Sequence, residues 1–260
     1  MLAKVSIDEQ SRIATVWLNR PEALNTLDVA TANAVNLAVM PLADRDDLHC
    51  IVLRGVGRAF MAGGDLTAFA KDFDTTDQVI NQLLDALIPV IEFLYSSPVP
   101  VIACVHGAVA GAGLSLLGAC DLVVAAEGTN FLLAYDKIGA PPDCGGTFFL
   151  PRLLGERRAA SLMLLGESWS AQQALEYGLI NKVVAAESFD SECDKVVERV
   201  ANGPTLAYSA YKRLVHKDQS VLKGQLEAER EEFCRATKSG DFRRGVLAFL
   251  NKERAQYQGD

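Results

Sequence analysis

The run Val101-Ile-Ala-Cys-Val105-His-Gly107-Ala-Val-Ala-Gly-Ala-Gly113-Leu-Ser115 reads as a buried strand, a loop of small residues and the start of a helix that continues to Ala119. Fifty residues earlier the same grammar occurs: Cys50-Ile-Val-Leu-Arg54 is a strand, and Arg58-Ala-Phe-Met-Ala-Gly-Gly-Asp65-Leu66 is its small-residue loop. Further strands are expected at Ile13–Leu18, Leu122–Ala126 and Ile180–Val184. Pro21 ends the first of these, because it donates nothing to a ladder and restricts Arg20 before it. Helical spacing of apolar residues spans Leu27–Ala43 and Thr76–Tyr95, with Pro98 and Pro100 stopping the second. Ser170 is an N-cap for Ala171–Tyr177, and Gly178 lies just past that helix's end. Strands alternating with helices predict an α/β fold. Beyond Thr147 the chain is mainly helical, so residues 1–195 are read as the core and 196–260 as a helical C-terminal oligomerisation region.

The bulk properties narrow the function classes. With 260 residues, half of them hydrophobic, the chain can bury a large core. A formal charge of −8 argues against a general nucleic-acid binder, though local cations can still hold an anionic ligand. The six cysteines form no C-x-x-C pair and several sit in apolar runs, as expected of reduced thiols in a cytoplasmic protein. His49, His106 and His216 are too scattered to suggest a metal site. The polar N-terminus MLAKVSIDEQ is not a signal peptide, and no uninterrupted apolar run reaches membrane length, so no membrane partner is expected. The charge run Glu227–Arg235 is read as a solvated helix face.

The two small-residue loops are the chemically suggestive features. Small residues let a ligand approach the backbone, and the first N–H groups of a helix have no intrahelical acceptor. Two such groups from different loops can hold one developing oxyanion. Gly107–Gly113 is unlike a phosphate loop, since it lacks the Gly-Lys-Ser/Thr ending. Either loop alone is as well explained by close backbone packing.

Together with other motifs, they make the chain resemble the enoyl-CoA hydratase/isomerase (crotonase) family over nearly its whole length. The shared segments are Leu18-Asn-Arg-Pro21, Leu24-Asn25-Thr26-Leu27, Phe60 to Leu66, Gly107 to Gly113 with Cys120-Asp121-Leu122, Ile138-Gly139, Pro142 to Thr147, Leu150 to Gly155, Ala174 to Gly178, and Asp241 to Gly245 with Ala248-Phe249-Leu250. The resemblance implies a spiral of strand-strand-helix units, a helical C-terminal trimerisation region forming a homotrimer or dimer of trimers, and an acyl-CoA thioester substrate. It implies no metal and no cofactor beyond the coenzyme A that arrives with the substrate. The thioester oxygen would be held by the N–H groups of Gly64 and Ala112. Ala62 would offer its carbonyl to the adenine, and Leu66 would pack near it. Phe249 and Lys252 match a Phe…Lys pattern that reaches the coenzyme A of a neighbouring subunit. Arg20 and Arg58 are further candidates for the phosphates.

The acid/base positions depart from the hydratase pattern. The two glutamates of hydratases fall on Ser115 and Tyr135, neither a carboxylate. Some relatives carry an aspartate in the loop matching Pro142-Asp143-Cys144-Gly145, among them isomerases of ring-opened aromatic acyl-CoA intermediates and a dehalogenase branch. Read alone, Asp143 is a turn residue after Pro142. Read with the resemblance, it is the catalytic carboxylate of an enoyl-CoA isomerase, while Ser115 and Tyr135 form pocket walls. Asp136 competes with it, and is expected to point elsewhere. Asp65 and Asp121 are read as structural caps. A dehalogenase is disfavoured, because Tyr135 replaces the bulkier aromatic surface expected there. A hydratase or dehydratase with rearranged groups, and a non-catalytic acyl-CoA-binding homologue, are the alternatives.

Overall fold

The computed structural model describes residues 1–260. The chain runs β1 (Ala3–Asp8), β2 (Ile13–Leu18), α1 (Val29–Val39), β3 (Cys50–Gly55), α2 (Leu66–Phe69), α3 (Thr76–Ser96), β4 (Val101–Val105), β5 (Ala108–Ala110), α4 (Ala112–Leu117), β6 (Leu122–Ala126), β7 (Asn130–Leu132), α5 (Gly146–Leu154), α6 (Glu156–Leu164), β8 (Ser168–Ser170), α7 (Ala171–Glu176), β9 (Lys182–Val184), α8 (Phe189–Ala201), α9 (Thr205–Val215), α10 (Gln219–Ala236) and α11 (Gly240–Asn251). The main sheet has the order β1-β2-β3-β4-β6-β9 and is parallel except for the β1–β2 hairpin. A smaller sheet, β5-β7-β8, is built by residues next to the small-residue loops.

β3 and β4 are buried along their whole length, as parallel strands covered on both faces must be. Alternate side chains serve opposite faces. Ile51, Leu53, Val101 and Ala103 enter the large core with α1 and α3, while Cys50, Val52, Ile102 and Cys104 meet α8 through Cys193 and Val197. Helix α3 is apolar and long enough by composition to cross a membrane, yet over half of its apolar window is buried in the core. All six cysteines are free thiols.

The differences from the sequence reading lie at short elements. Helix α1 is shorter than Leu27–Ala43, because Asp28 caps its start and a 3-10 turn with Pro41 replaces its end. β5 lies inside the expected loop at Gly107–Gly113, and α4 begins at Ala112 rather than Leu114. β1, β7 and β8 are additional to the expected strands; all are short, with exposed positions, and are held by pairing, β1 to β2 and β7 to β5 and β8. Ser170 caps α7 with a full capping box through Gln173.

The C-terminal helices share the main core rather than standing apart from it, through Leu222, Leu226, Phe233, Phe242 and Val246. α10 lies along α3 and α5. α11 packs on α2 and on a 3-10 turn, Tyr135–Ile138. That approach needs a glycine, because a Cβ on Gly245 would lie 2.6 Å from the Ile138 carbonyl carbon.

Asn25 shows what the Leu24-Asn25 motif does. It is buried with a left-handed backbone, φ 56°. Its amide donates to the carbonyls of Val56, Ala59 and Phe60 at 2.9–3.1 Å, and its Oδ1 accepts from the Arg20 N–H at 2.8 Å. The residue pins the first small-residue loop to the rest of the fold.

Candidate active site

A cleft of about 270 Å³ with mostly apolar walls opens where the two small-residue loops meet the Tyr135–Ile138 turn. Ala62, Gly64, Gly111 and Ala112 form one side. Tyr135 and Asp143 form another, and Phe233 of α10 and Phe249 of α11 cover it.

The loops are in backbone contact. The first is laddered to the second by Phe60 N–H to His106 O, Met61 N–H to Ala108 O and Ala110 N–H to Met61 O, at 2.8–3.2 Å. Gly63 and Gly111 sit at φ 92° and 52°, which favour glycine. A Cβ on Gly111 would lie 3.3 Å from the Gly63 Cα, so side chains here would push the loops apart. The Gly64 N–H has no hydrogen-bond acceptor within the chain. Ala112 is the first residue of α4, where N–H groups lack an intrahelical acceptor. Both residues line the same cleft.

Two carboxylates line the cleft, Asp65 and Asp143, and their states differ. Asp65 caps α2 through Thr67 and pairs with Arg20 at 2.8 Å. Burial raises its pKa, but the Thr67 and Arg20 hydrogen bonds win and hold it below the usual value. Asp143 is 6% exposed and has no cation. Burial pushes its pKa up, against the pull of hydrogen bonds from Tyr135 and Cys144. The Tyr135 hydroxyl donates to Asp143 Oδ1 at 2.5 Å. Burial first, then the neighbouring Asp143, drives the phenol's own pKa well up, so it stays a donor. Ser115 is fully buried and its hydroxyl makes no hydrogen bond of ordinary geometry. It does not line the cleft.

The remaining sequence-derived candidates divide. Ala62, Leu66 and Phe249 line the cleft, Phe249 from α11 of its own chain. The reason is the Gly245 contact, which lays α11 over the Tyr135–Ile138 turn. Arg20 is not brought to the cleft wall, because Asp65, Asp28 and the Thr26 carbonyl hold its guanidinium. Arg58 is exposed and outside the cleft. Lys252 is exposed at the C-cap of α11, three residues beyond Phe249, and forms no ion pair. Asp136 points away towards Gly166, and Asp121 accepts from the Val101 N–H and from Lys212, both as expected.

One feature of the charge run contradicts the expectation of a solvated face. Glu229 is 4% exposed and Phe233 is fully buried. Glu229 accepts from the N–H groups of Gly145 and Thr147, both at 2.7 Å, and from the Thr147 hydroxyl. Burial pushes its pKa up to about 7 against those donors. The signal in the chain is the spacing Leu222, Leu226, Glu229, Phe233, an inward stripe at helical period.

Comparison with known proteins shows the family and the fold. The model of the family described as enoyl-CoA hydratase/isomerase matches residues 8–260. The chain is 36% identical over 250 residues to 1,2-epoxyphenylacetyl-CoA isomerase of Escherichia coli, covering 95% of each chain. It is 34% identical over 254 residues to a trans-2-decenoyl-[acyl-carrier-protein] isomerase of Streptococcus mutans, again with 95% of each chain covered. The crystal structure of an enoyl-CoA hydratase from Mycobacterium avium subsp. paratuberculosis superposes with a TM-score of 0.86 at 30% identity, covering 99% of both chains.

Proposed function

The chain belongs to the enoyl-CoA hydratase/isomerase family and is an acyl-CoA enzyme of the crotonase fold, and from that premise we propose that it is an enoyl-CoA isomerase with Asp143 as its single proton shuttle. The observation that carries the proposal is the state of the two cleft carboxylates: Asp65 is ion-paired, and Asp143 is buried without a cation. In a 3-enoyl-CoA, Asp143 takes a proton from Cα. The electrons move into a dienolate whose oxygen accepts from the Gly64 and Ala112 N–H groups. The protonated carboxyl then returns its proton at Cγ, leaving the conjugated 2-enoyl-CoA. One carboxylate suffices because no water is added. Tyr135 holds Asp143 in place, and Ser115 lies outside the cleft, against Gly146. A second free carboxylate, which ordinary hydration in this family uses, does not line the cleft.

Coenzyme A enters with the substrate, and we assign its adenine to the Ala62–Leu66 segment. The exposed cations Arg58 and Lys252 are the candidates for its phosphates, and Phe249 for its apolar contacts. Six free thiols support a cytoplasmic location. The deciding experiment incubates the protein with 3-enoyl-CoA and follows product mass and ultraviolet absorbance. A conjugated product of unchanged mass is expected. A product heavier by one water would replace isomerisation with hydration.

The state of Asp143 sets a pH dependence. The base works ionised, and its pKa is raised above the ordinary 3.8. kcat/KM is therefore full above the raised value and falls as pH drops through it. The acid limb of the profile is expected clearly above 3.8. A limb at or below that value would contradict a buried, uncompensated base.

Helix α9 presents Leu206, Tyr211, Leu214 and Val215 to solvent, apolar surface of the kind that subunit contacts cover. We propose a homotrimer or a dimer of trimers. Light scattering should give three or six times the 28.0 kDa chain mass, and a monomer at micromolar concentration would refute it.

A further inference from the structure

We infer that Glu229 is a positioning residue that acts through Asp143: from α10 it grips the loop that carries this carboxylate and fixes where the carboxylate stands. The inference rests on the reading of Asp143 as the proton shuttle.

The loop has a reason to need holding. Directly after Asp143, Cys144 and Gly145 are both left-handed, at φ 55° and 84°. Cys144 is not a glycine, so it holds this conformation only where its surroundings enforce it. A left-handed residue followed at once by a right-handed one, as Gly145 is by Gly146 at the N-terminus of α5, turns its neighbouring N–H groups into a concavity that accepts an anion. The Glu229 carboxylate fills that concavity. Its Oε2 accepts from the Gly145 N–H, and its Oε1 accepts from the Thr147 N–H and hydroxyl. Gln225, one turn earlier on α10, donates to the Thr147 hydroxyl at 2.8 Å. Phe233, one turn later, meets Tyr135 edge to face at 6.2 Å, and Tyr135 donates to Asp143. One face of α10 thus supports the shuttle from both sides: Glu229 holds its backbone and Phe233 backs its hydrogen-bond donor.

Glu229 neither lines the cleft nor pairs with a cation. Its partners within hydrogen-bonding distance are this loop and the start of α5. A plain helix-to-helix anchor would account for the bonds but would predict no dependence on Asp143.

The test uses the full chain with Glu229→Gln, Asp143→Asn and the double variant, following kcat, KM and amide hydrogen exchange of the 143–147 segment. Glutamine keeps the size, but its NH2 faces a donor that the carboxylate accepted from. Exchange at Gly145 and Thr147 should quicken by about 10-fold or more. kcat should fall about 10- to 100-fold with KM changed by less than about 3-fold, and the double variant should be no slower than Asp143→Asn alone. Thr147→Val removes only the hydroxyl arm, should lose less in the same direction, and carries the test should Glu229→Gln not fold. Unchanged exchange overturns the clamp. Quickened exchange with kcat within about 2-fold, or a double variant that adds the whole Glu229→Gln loss to that of Asp143→Asn, overturns the positioning role. Full turnover by Asp143→Asn alone sinks the proton-shuttle reading instead, and the exchange measurement still decides the clamp.

Discussion

Asp143→Asn is expected to lower the conversion of 3-enoyl-CoA to 2-enoyl-CoA by at least about 100-fold, the usual contribution of a positioned general base, while leaving acyl-CoA binding nearly intact. The substitution isolates the proton-transfer step. Asparagine matches aspartate in size, so the walls of the cleft do not move. Its side-chain oxygen can still accept from the Tyr135 hydroxyl, which reaches Asp143 Oδ1 at 2.5 Å. What it cannot do is take a proton from Cα and give it back at Cγ. The buried site also makes the variant tolerable to the fold, because removing a carboxylate that has no cation removes a desolvation cost. Tyr135→Phe and Ser115→Ala are the controls. Neither group is suited to act as a base: the phenol's pKa is pushed well up, and no histidine stands beside either to activate it. A fully active Asp143→Asn, with activity abolished in Ser115→Ala or Tyr135→Phe, would overturn the assignment and reopen hydration.

How much of this site is legible in the sequence depends on how local each requirement is. Gly63 and Gly111 need positive φ and close backbone approach, and both demands write themselves into the chain as glycine. The close pairing of the two small-residue loops is therefore legible from the residues alone, while their role as oxyanion donors rests on the resemblance. Asp143 is not legible in the same way. After Pro142 and before two glycines it looks like any turn aspartate, and only resemblance to a family raises it above that. Its burial comes from Tyr135 and from the cover of α10 and α11, all outside its own loop. Glu229 escapes a sequence reading because a charge on a helix faces water or protein according to docking, and docking is not a local property. Arg20 departs from expectation for the opposite reason. It is a cation beside a motif, but Asp65, 45 residues away, already uses it. The short strands β1, β5 and β8 are likewise made by pairing with β2 and β7, not by the propensity of three to six residues.

Ala112→Pro is the sharpest probe of the proposed oxyanion site, with an expected loss of about 100- to 1000-fold in kcat, the range found when one donor is removed from such a site. Gly64→Pro would remove the other donor, but it is the poorer experiment. A Cβ on Gly64 would lie 2.9 Å from the Phe69 ring, so the side chain would disturb α2 as well as the hydrogen bond. Ala112 is different. It is the first residue of α4, where a missing N–H costs the helix nothing and a fixed φ near −65° is already helical. The residue before a proline is pushed out of the right-handed helical region. Gly111 stands at φ 52°, ψ −126°, the mirror image of an extended conformation, which glycine adopts as readily as the extended one itself. The backbone is therefore already arranged for proline on both sides of the bond. The donor disappears, and the developing negative charge on the thioester oxygen keeps only Gly64. The loss should fall on kcat, because a ground-state carbonyl asks less of the donor than an enolate oxygen does. A folded Ala112→Pro protein that retains turnover within about 10-fold would mean that this N–H does not meet the reacting oxygen. The dienolate would then need another source of stabilisation, and the pairing of the two small-residue loops would be a matter of packing alone.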